Sequence, residues 1–283
     1  MKPNAVARAE RLLDREAATW ERVVSRGYSV AEHWSVGFAD GGRAFLKVAS
    51  VDPHPQWVRE EQHVYRCVHG PFMPELLGFE DGNEPLLVLE DMHPTARWPP
   101  PWEDGDVDAV LAALRELAAA PVEGDLPRLA DEEWPGWAHV ARDPGAFLSA
   151  GVASSAWLER SLPVLLEASE CAPLSGDALV HCDVRSDNLC IRDGRAVLLD
   201  WNHARIGNPG FDVAFWLPSL ELEGGPPPDG FGVDVLAVVV AGFFAALAGL
   251  PPPEGAPRVR DFQRAQLEVA LPWTCRALGL PLE

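Results

Sequence analysis

The run His181-Cys182-Asp183-Val184-Arg185-Ser186-Asp187-Asn188, followed twelve residues later by Asp200-Trp201-Asn202, holds the residue types with the clearest chemistry in this chain. Its pattern is H-x-D-x-x-x-x-N, then an acidic residue. From average residue usage it arises by chance at about one start position in twenty thousand. The stretch between Asn188 and Asp200 reads as a tight hairpin, with Leu189-Cys190-Ile191 and Ala196-Val197-Leu198-Leu199 flanking Asp193-Gly194. A hairpin folds the chain back, so Asn188 at its start and Asp200 at its end come out near one another. An amide oxygen and a carboxylate there suit Mg²⁺, a hard cation that takes oxygen ligands, water and phosphate. Asp183, on the loop just before, can accept a proton from an attacking hydroxyl.

The rest of the chain must position these groups. Ala5 to Trp20 reads as an amphipathic surface helix. Ser29 to Ala39 and Arg43 to Ala49 are strand-like, joined by the hairpin turn Asp40-Gly41-Gly42. Arg59 to Val68 reads as a helix, broken by Pro71 to Pro74, and Leu76 to Phe79 and Leu86 to Glu90 as short strands. His93-Pro94 and Trp98-Pro-Pro-Pro-Trp102 can extend neither sheet nor helix and read as a stiff crossing. Beyond it the pattern is mainly helical, over Val107 to Ala120, Ser155 to Glu170, Val233 to Ala248, and Val259 to Leu271 before Pro272.

With these motifs, and most specifically LVHCDVRSDNLCIRDGRAVLLDWNHARIGNPGFDVAFWLPSL, the chain resembles the phosphotransferase family that includes aminoglycoside phosphotransferases and choline kinases. The resemblance runs from about Gly27 to the C-terminal helices. It implies an α+β, protein-kinase-like two-lobed fold, with a small β-rich N-terminal lobe over residues 1–92 and a larger, mainly helical C-terminal lobe over 93–283. It implies ATP, Mg²⁺ and transfer of the γ-phosphate to a hydroxyl of a small molecule. By matching position Asp183 is the catalytic base and Asn188 and Asp200 are the metal ligands, His181 braces the loop, and Asp212 supports it from the following helix. Lys47, in a strand, is placed to reach the α- and β-phosphates. Glu61 is its expected ion-pair partner, with Glu60 the alternative. Val88 to Met92 would be the hinge, where backbone groups of Glu90 and Met92 meet the nucleotide base. Ser25-Arg26-Gly27-Tyr28-Ser29 is the one loop able to cover the phosphates, through backbone N–H groups of Gly27 and Ser29, although no G-x-G-x-x-G is present. Arg185 stands where protein kinases place a lysine facing the γ-phosphate; the same guanidinium could instead pair with Asp187 or Asp183. His203 and Arg205 read as structural.

Departures from the protein-kinase pattern bear on the substrate. Asp200-Trp201-Asn202 replaces Asp-Phe-Gly, Cys182 stands where an arginine often precedes the base, and no Ala-Pro-Glu follows. A protein kinase is therefore a weaker reading. A nucleotide-binding pseudokinase serving as a partner module is weaker still, because Lys47, Asp183, Asn188 and Asp200 are all retained. Carboxylates (Asp131, Glu132, Glu133, Asp143, Glu221, Glu223, Asp234) and tryptophans (98, 102, 134, 137, 157, 216, 273) in the second half suit an amine or ammonium acceptor, such as an aminoglycoside or another amine or sugar metabolite. Antibiotic resistance is one role that such an activity could serve.

Composition agrees. The chain is 47% hydrophobic and 23% charged, as a soluble globular protein is, with a net charge of −20. That charge repels nucleic acid and anionic membranes and favours a cationic small molecule. No apolar run reaches the roughly 18 to 20 residues that cross a bilayer. The charged N-terminus has no apolar core, so no signal peptide is expected. Five scattered cysteines without C-x-x-C point to free thiols in the cytoplasm. No oligomeric state is readable.

Overall fold

The computed structural model describes residues 1–23, 31–51, 53–253 and 256–281. By packing, the chain falls into two units: Met1–Leu126 with Ser186–Arg205, and Pro127–Arg185 with Ile206–Glu283. The stretch 93–126 thus packs with the N-terminal sheet, and so does the hairpin after Asn188.

In the first unit, α1 (Asn4–Leu13) precedes β1 (Ala17–Val23), β2 (Glu32–Phe38) and β3 (Arg43–Val48). Next come α2 (His54–Cys67), β4 (Leu76–Glu80), β5 (Leu86–Leu89) and α3 (Asp106–Ala118). The five strands form an antiparallel sheet in the order β1-β2-β3-β5-β4. Strand side chains alternate between faces. Ala44, Leu46 and Val48 of β3 therefore join Val36, Phe38, Leu86 and Val88 in a core closed by Ala5, Val6 and Ala9 of α1. Lys47 points to the other face. Gly41, at φ +88°, makes the β2–β3 turn that the sequence predicts.

Two expectations need correction here. The first helix stops at Leu13 rather than Trp20, because Asp14 turns left-handed (φ 51°) and Ala17–Val23 pairs along β2. Strand pairing there outweighs the helical pattern. The next helix starts at His54 rather than Arg59, with Pro53 and Pro55 at its start, where a proline's missing N–H costs nothing.

The second unit takes up α4 (Trp137–Arg142), α5 (Gly145–Ala150), α6 (Ser155–Glu170) and β6 (Ala178–Val180). The chain then returns to the first unit for the hairpin β7 (Leu189–Arg192) and β8 (Arg195–Leu198), on which α3 packs. It re-enters the second unit at β9 (Arg205–Gly207), which pairs with β6, and ends with α7 (Gly210–Leu222), α8 (Ala237–Leu247) and α9 (Val259–Leu278). Trp137, Trp157, Trp216 and Trp273 are fully buried in this unit's core. Gly242 of α8 lets Trp137 lie against the helix: a Cβ there would come 2.7 Å from the indole.

α9 runs through Pro272, where the sequence predicts a stop. Leu267, Ala270 and Leu271 before the proline and Trp273, Thr274 and Cys275 after it are all buried. One continuous apolar face holds the helix together across the lost hydrogen bond. Among the described residues no helix is long and apolar enough to cross a membrane.

Candidate active site

In the first unit the chemistry gathers on Lys47. Its Nζ lies 2.7 Å from Glu61 Oε2 and 2.6 Å from Asp200 Oδ1. Glu61 sits two turns into α2, on the helix's buried face with Val58 and Tyr65, which is why it reaches the sheet. Glu60, one residue round the helix, hydrogen-bonds Gln56 instead. Lys47 is 7% exposed and Glu61 1%. Burial alone would lower the lysine pKa, but Asp200 and Glu61 outweigh it and hold it above the ordinary value. Burial raises the Glu61 carboxyl above its ordinary value; Lys47 opposes that shift and the Asp200 charge reinforces it.

Asp200 reaches Lys47 through the hairpin. Leu189 pairs with Leu198, and the Leu199 N–H donates to the Asn188 carbonyl at 2.8 Å, so both ends of the hairpin meet as the sequence predicts. Asp200 takes a left-handed conformation (φ 64°, ψ 68°), uncommon outside glycine and a marker of functional loops. Trp201 anchors the turn. It is fully buried, its Nε1–H donates to the Leu198 carbonyl at 3.0 Å, and its backbone N–H donates to Glu61 Oε1 at 3.4 Å. Asn188 is 5% exposed. An amide oxygen and a carboxylate, with water and phosphate completing the shell, fit Mg²⁺ and do not fit zinc or copper.

Glu90 and Met92, expected at the hinge, are placed differently from one another. Glu90 turns its carboxylate to Arg192 on the hairpin, and its N–H donates to the Glu75 carbonyl at 2.9 Å. The Met92 side chain is buried with Cys190 and Val197, and its carbonyl accepts from Thr95 and Ala96. Gly27 and Ser29 lie outside the described residues. His203 is exposed with its ring 6.5 Å from Trp57, and Arg205 donates to the Ala204 carbonyl.

Sequence reasoning passed over Asp91 and its neighbours. The Asp91 carboxylate is shielded from solvent and accepts from Ser35 Oγ (2.6 Å), Arg43 Nε (3.1 Å), the His93 N–H (3.0 Å) and His93 Nδ1 (3.2 Å). The signal was available in part: strand alternation puts Ser35 and Phe45 on the face of Lys47.

The second unit carries the first part of the motif, His181 to Arg185. After β6, the N–H groups of His181 and Cys182 donate to Asp212 Oδ2 and Oδ1 at 2.7 and 2.8 Å. Cys182 is held left-handed at φ 65°. The Asp183 N–H donates to His181 Nδ1 at 3.3 Å, so the imidazole carries its proton on Nε2 when neutral. Asp212 lies at the start of α7, beside Phe211, which packs with Leu129 and Val180. Burial pushes its carboxyl up to about 7, against the two N–H donors that favour the anion. Arg185 Nε stands 3.3 Å from Asp183 Oδ1, one of the two carboxylates within its expected reach. Both side chains remain partly exposed.

Most of the tryptophans set aside for an acceptor are core. Trp137, Trp157, Trp216 and Trp273 are buried, Trp134 packs on Phe211, Phe215 and Phe243, and Trp273 binds Asp234 at 2.7 Å. Asp143 accepts from the Gly145 N–H at 2.9 Å, a local turn bond. Asp131, Glu132 and Glu133 are exposed.

The chain is similar in structure to a choline/ethanolamine kinase family protein from Mesorhizobium loti, at 15% identity and a TM-score of 0.62, covering 93% of this chain and 92% of that one. A thermostable mutant of aminoglycoside phosphotransferase APH(4)-Ia gives 18% identity and 0.56 over 93% and 94%. Macrolide 2′-phosphotransferase MphH from Brachybacterium faecium gives 17% and 0.51 over 98% of both. At these identities the likeness speaks for the fold, a protein-kinase-like one. Among curated proteins nothing matches. The model of the phosphotransferase enzyme family APH matches residues 20–262, nearly all of the chain that carries the two sites described above, and the chain belongs to that family.

Proposed function

We propose that the chain is an ATP- and Mg²⁺-dependent kinase that moves the γ-phosphate to a hydroxyl of a small cationic molecule, an aminoglycoside or another amine or sugar metabolite. The reaction forms a bond from the acceptor oxygen to the γ-phosphorus and breaks the bond from that phosphorus to the ADP oxygen. Asp183 takes the acceptor's proton. Arg185, already beside Asp183, adds positive charge where the transferred group becomes more anionic. Asp212 holds the loop backbone so that Asp183 keeps its place. Lys47, kept charged by Glu61, binds the α- and β-phosphates. Backbone groups of Glu90 and Met92 meet the base, and those of Gly27 and Ser29 the phosphates. Asn188 and Asp200 would hold Mg²⁺, which when bound neutralises phosphate charge. The nucleotide then belongs chiefly to residues 1–92 and the acceptor to 93–283, in a cytoplasmic enzyme with free thiols.

The observation that carries this reading is the buried Lys47 ammonium set between Glu61 and Asp200. The net charge of −20 supports a cationic acceptor. The test is thermal unfolding with ATP, with and without Mg²⁺, followed by ADP release with a panel of amines, aminoglycosides and sugars. Saturation at 100 times Kd stabilises the native state by about 2.7 kcal/mol. A Mg²⁺-dependent shift and ADP release with one compound class are expected. No shift at millimolar Mg·ATP would reject the reading.

A further inference from the structure

The face of the sheet that carries Lys47 also carries a row of rings. Lys47 pairs with His33 across β2, and Phe45 pairs with Ser35 on β2 and with Leu89 on β5. Alternation puts His33, Ser35, Phe45 and Lys47 on one face, opposite the α1 core. From this face the rings run outward. His33 stacks on Phe45 with centroids 5.4 Å apart, Phe45 on His93 at 5.4 Å and 16°, and His93 meets Trp98 at 5.1 Å. His93 follows Met92 directly, so the row ends beside the hinge.

His93 is fixed at two points of its own. Its N–H and its Nδ1 both meet Asp91 Oδ1. Burial alone would raise the Asp91 carboxyl, but the bonds from His93 and Ser35 carry it below its ordinary value, so it is an anion that only accepts. Nδ1 must therefore carry the proton. In the neutral ring Nε2 is then a bare acceptor, held in orientation by the two flanking rings. Among the described residues no hydrogen bond reaches Nε2, and the side chain is 35% exposed. A buried carboxylate that sets a tautomer, with stacking that sets the ring plane, is an arrangement that presents a single acceptor atom to a ligand.

We propose that His93 is a specificity-determining residue of the nucleotide site, whose Nε2 accepts a hydrogen bond from a donor on the nucleoside, a sugar hydroxyl or the exocyclic amine of the base. This rests on the reading of the Lys47 face as the nucleotide site. Asp91 is then the positioning residue, acting through the imidazole.

The experiment measures dissociation constants of the full chain, with Mg²⁺, for ATP, 2′-deoxy-ATP, 3′-deoxy-ATP and the triphosphate of purine riboside, which lacks the amine. The same set is measured for His93→Phe, which keeps a flat ring in the stack and removes the acceptor. Thermal unfolding of both chains without nucleotide checks that the fold is kept, and His93→Gln serves as a second variant that retains an acceptor oxygen. Wild type should bind one of the three analogues about 3- to 10-fold more weakly than ATP, the worth of one neutral hydrogen bond. His93→Phe should bind that analogue and ATP alike, and His93→Gln should recover part of the difference. Which analogue suffers identifies the donor. Equal binding of all four by wild type, or discrimination preserved in His93→Phe, overturns the assignment while leaving the kinase reading in place. A wild-type chain that binds none of the four overturns both.

Discussion

The Lys47–Glu61 pair should respond very unequally to loss of one partner or the other. Lys47→Met leaves two carboxylates, Glu61 and Asp200, close together with their cation gone, and Glu61 is fully buried. Removing one partner of a buried pair costs about 3 to 5 kcal/mol. For a chain of this size that lowers Tm by about 5 to 8 °C. Glu61→Gln is a different change. The raised Glu61 pKa means that burial and the Asp200 charge together outweigh the attraction of Lys47. Folding thus favours the neutral form of this side chain, and an amide of the same shape supplies that form. Lys47 keeps Asp200 at 2.6 Å, and the amide oxygen can still accept from Lys47 or from the Trp201 N–H. We expect a stability change within about 1 kcal/mol, and a loss of activity of about 10- to 100-fold, because an uncharged partner no longer holds the ammonium for the phosphates. The pH dependence follows with opposite signs. The Glu61 charge costs stability as pH rises above about 4.5, whereas the Lys47 charge contributes stability that is present below about 10.4 and is lost as pH rises through its higher folded value. The assay is urea unfolding of the nucleotide-free variants at pH 7, paired with steady-state kinetics. If Glu61→Gln destabilised the chain as much as Lys47→Met, the Glu61 charge would be a net stabiliser and the reasoning would fail.

Three other outcomes are expected. Asp183→Asn should lower kcat by about 10² to 10⁴ while sparing ATP binding, since it removes only the proton acceptor; unchanged turnover would reject Asp183 as base. Asp200→Ala should abolish Mg²⁺-dependent nucleotide binding, and an unaffected titration would move the metal site elsewhere. His33 is buried beside Lys47, and burial first, then that charge, lowers its pKa to about 4. As pH falls below 6.5 the unfolded chain takes up a proton that the folded chain refuses until about 4. Up to about 3 kcal/mol should be lost over that window, and the slope of stability against pH should flatten in His33→Phe.

The parts of the site that the sequence made legible are those in which spacing alone sets geometry. Asn188 and Asp200 had to meet because a two-residue turn at Asp193-Gly194 joins two apolar strands. Lys47 lies in the strand that the pattern predicts, and Glu61 rather than Glu60 followed from the motif around it, the helix then turning Glu60 aside. What escaped depends on contacts distant in sequence. Nothing local says that Ala17–Val23 pairs with β2, or that the apolar face of α9 carries its helix past Pro272. Nor does residue type reveal that Asp91, inside the expected hinge, turns inward to Ser35 and Arg43 while Glu90 turns to Arg192. The tryptophans misled for the same reason: an indole suits a cation-binding wall and a core equally, and only packing decides.

The hairpin 186–205 belongs to the first unit although a segment of the second, Pro127–Arg185, comes before it in the chain. A ribosome has therefore released the five-stranded sheet and its Lys47 long before it delivers Asp200, 153 residues later. Until then the ammonium has only Glu61, and α3 lacks the strand it packs on. Newly made sheet must wait with that surface uncovered, a state open to chaperones and proteases. A fragment ending at Leu126 would reproduce this waiting state permanently, whereas adding the hairpin as a separate peptide would have to overcome the entropy that the covalent chain already limits.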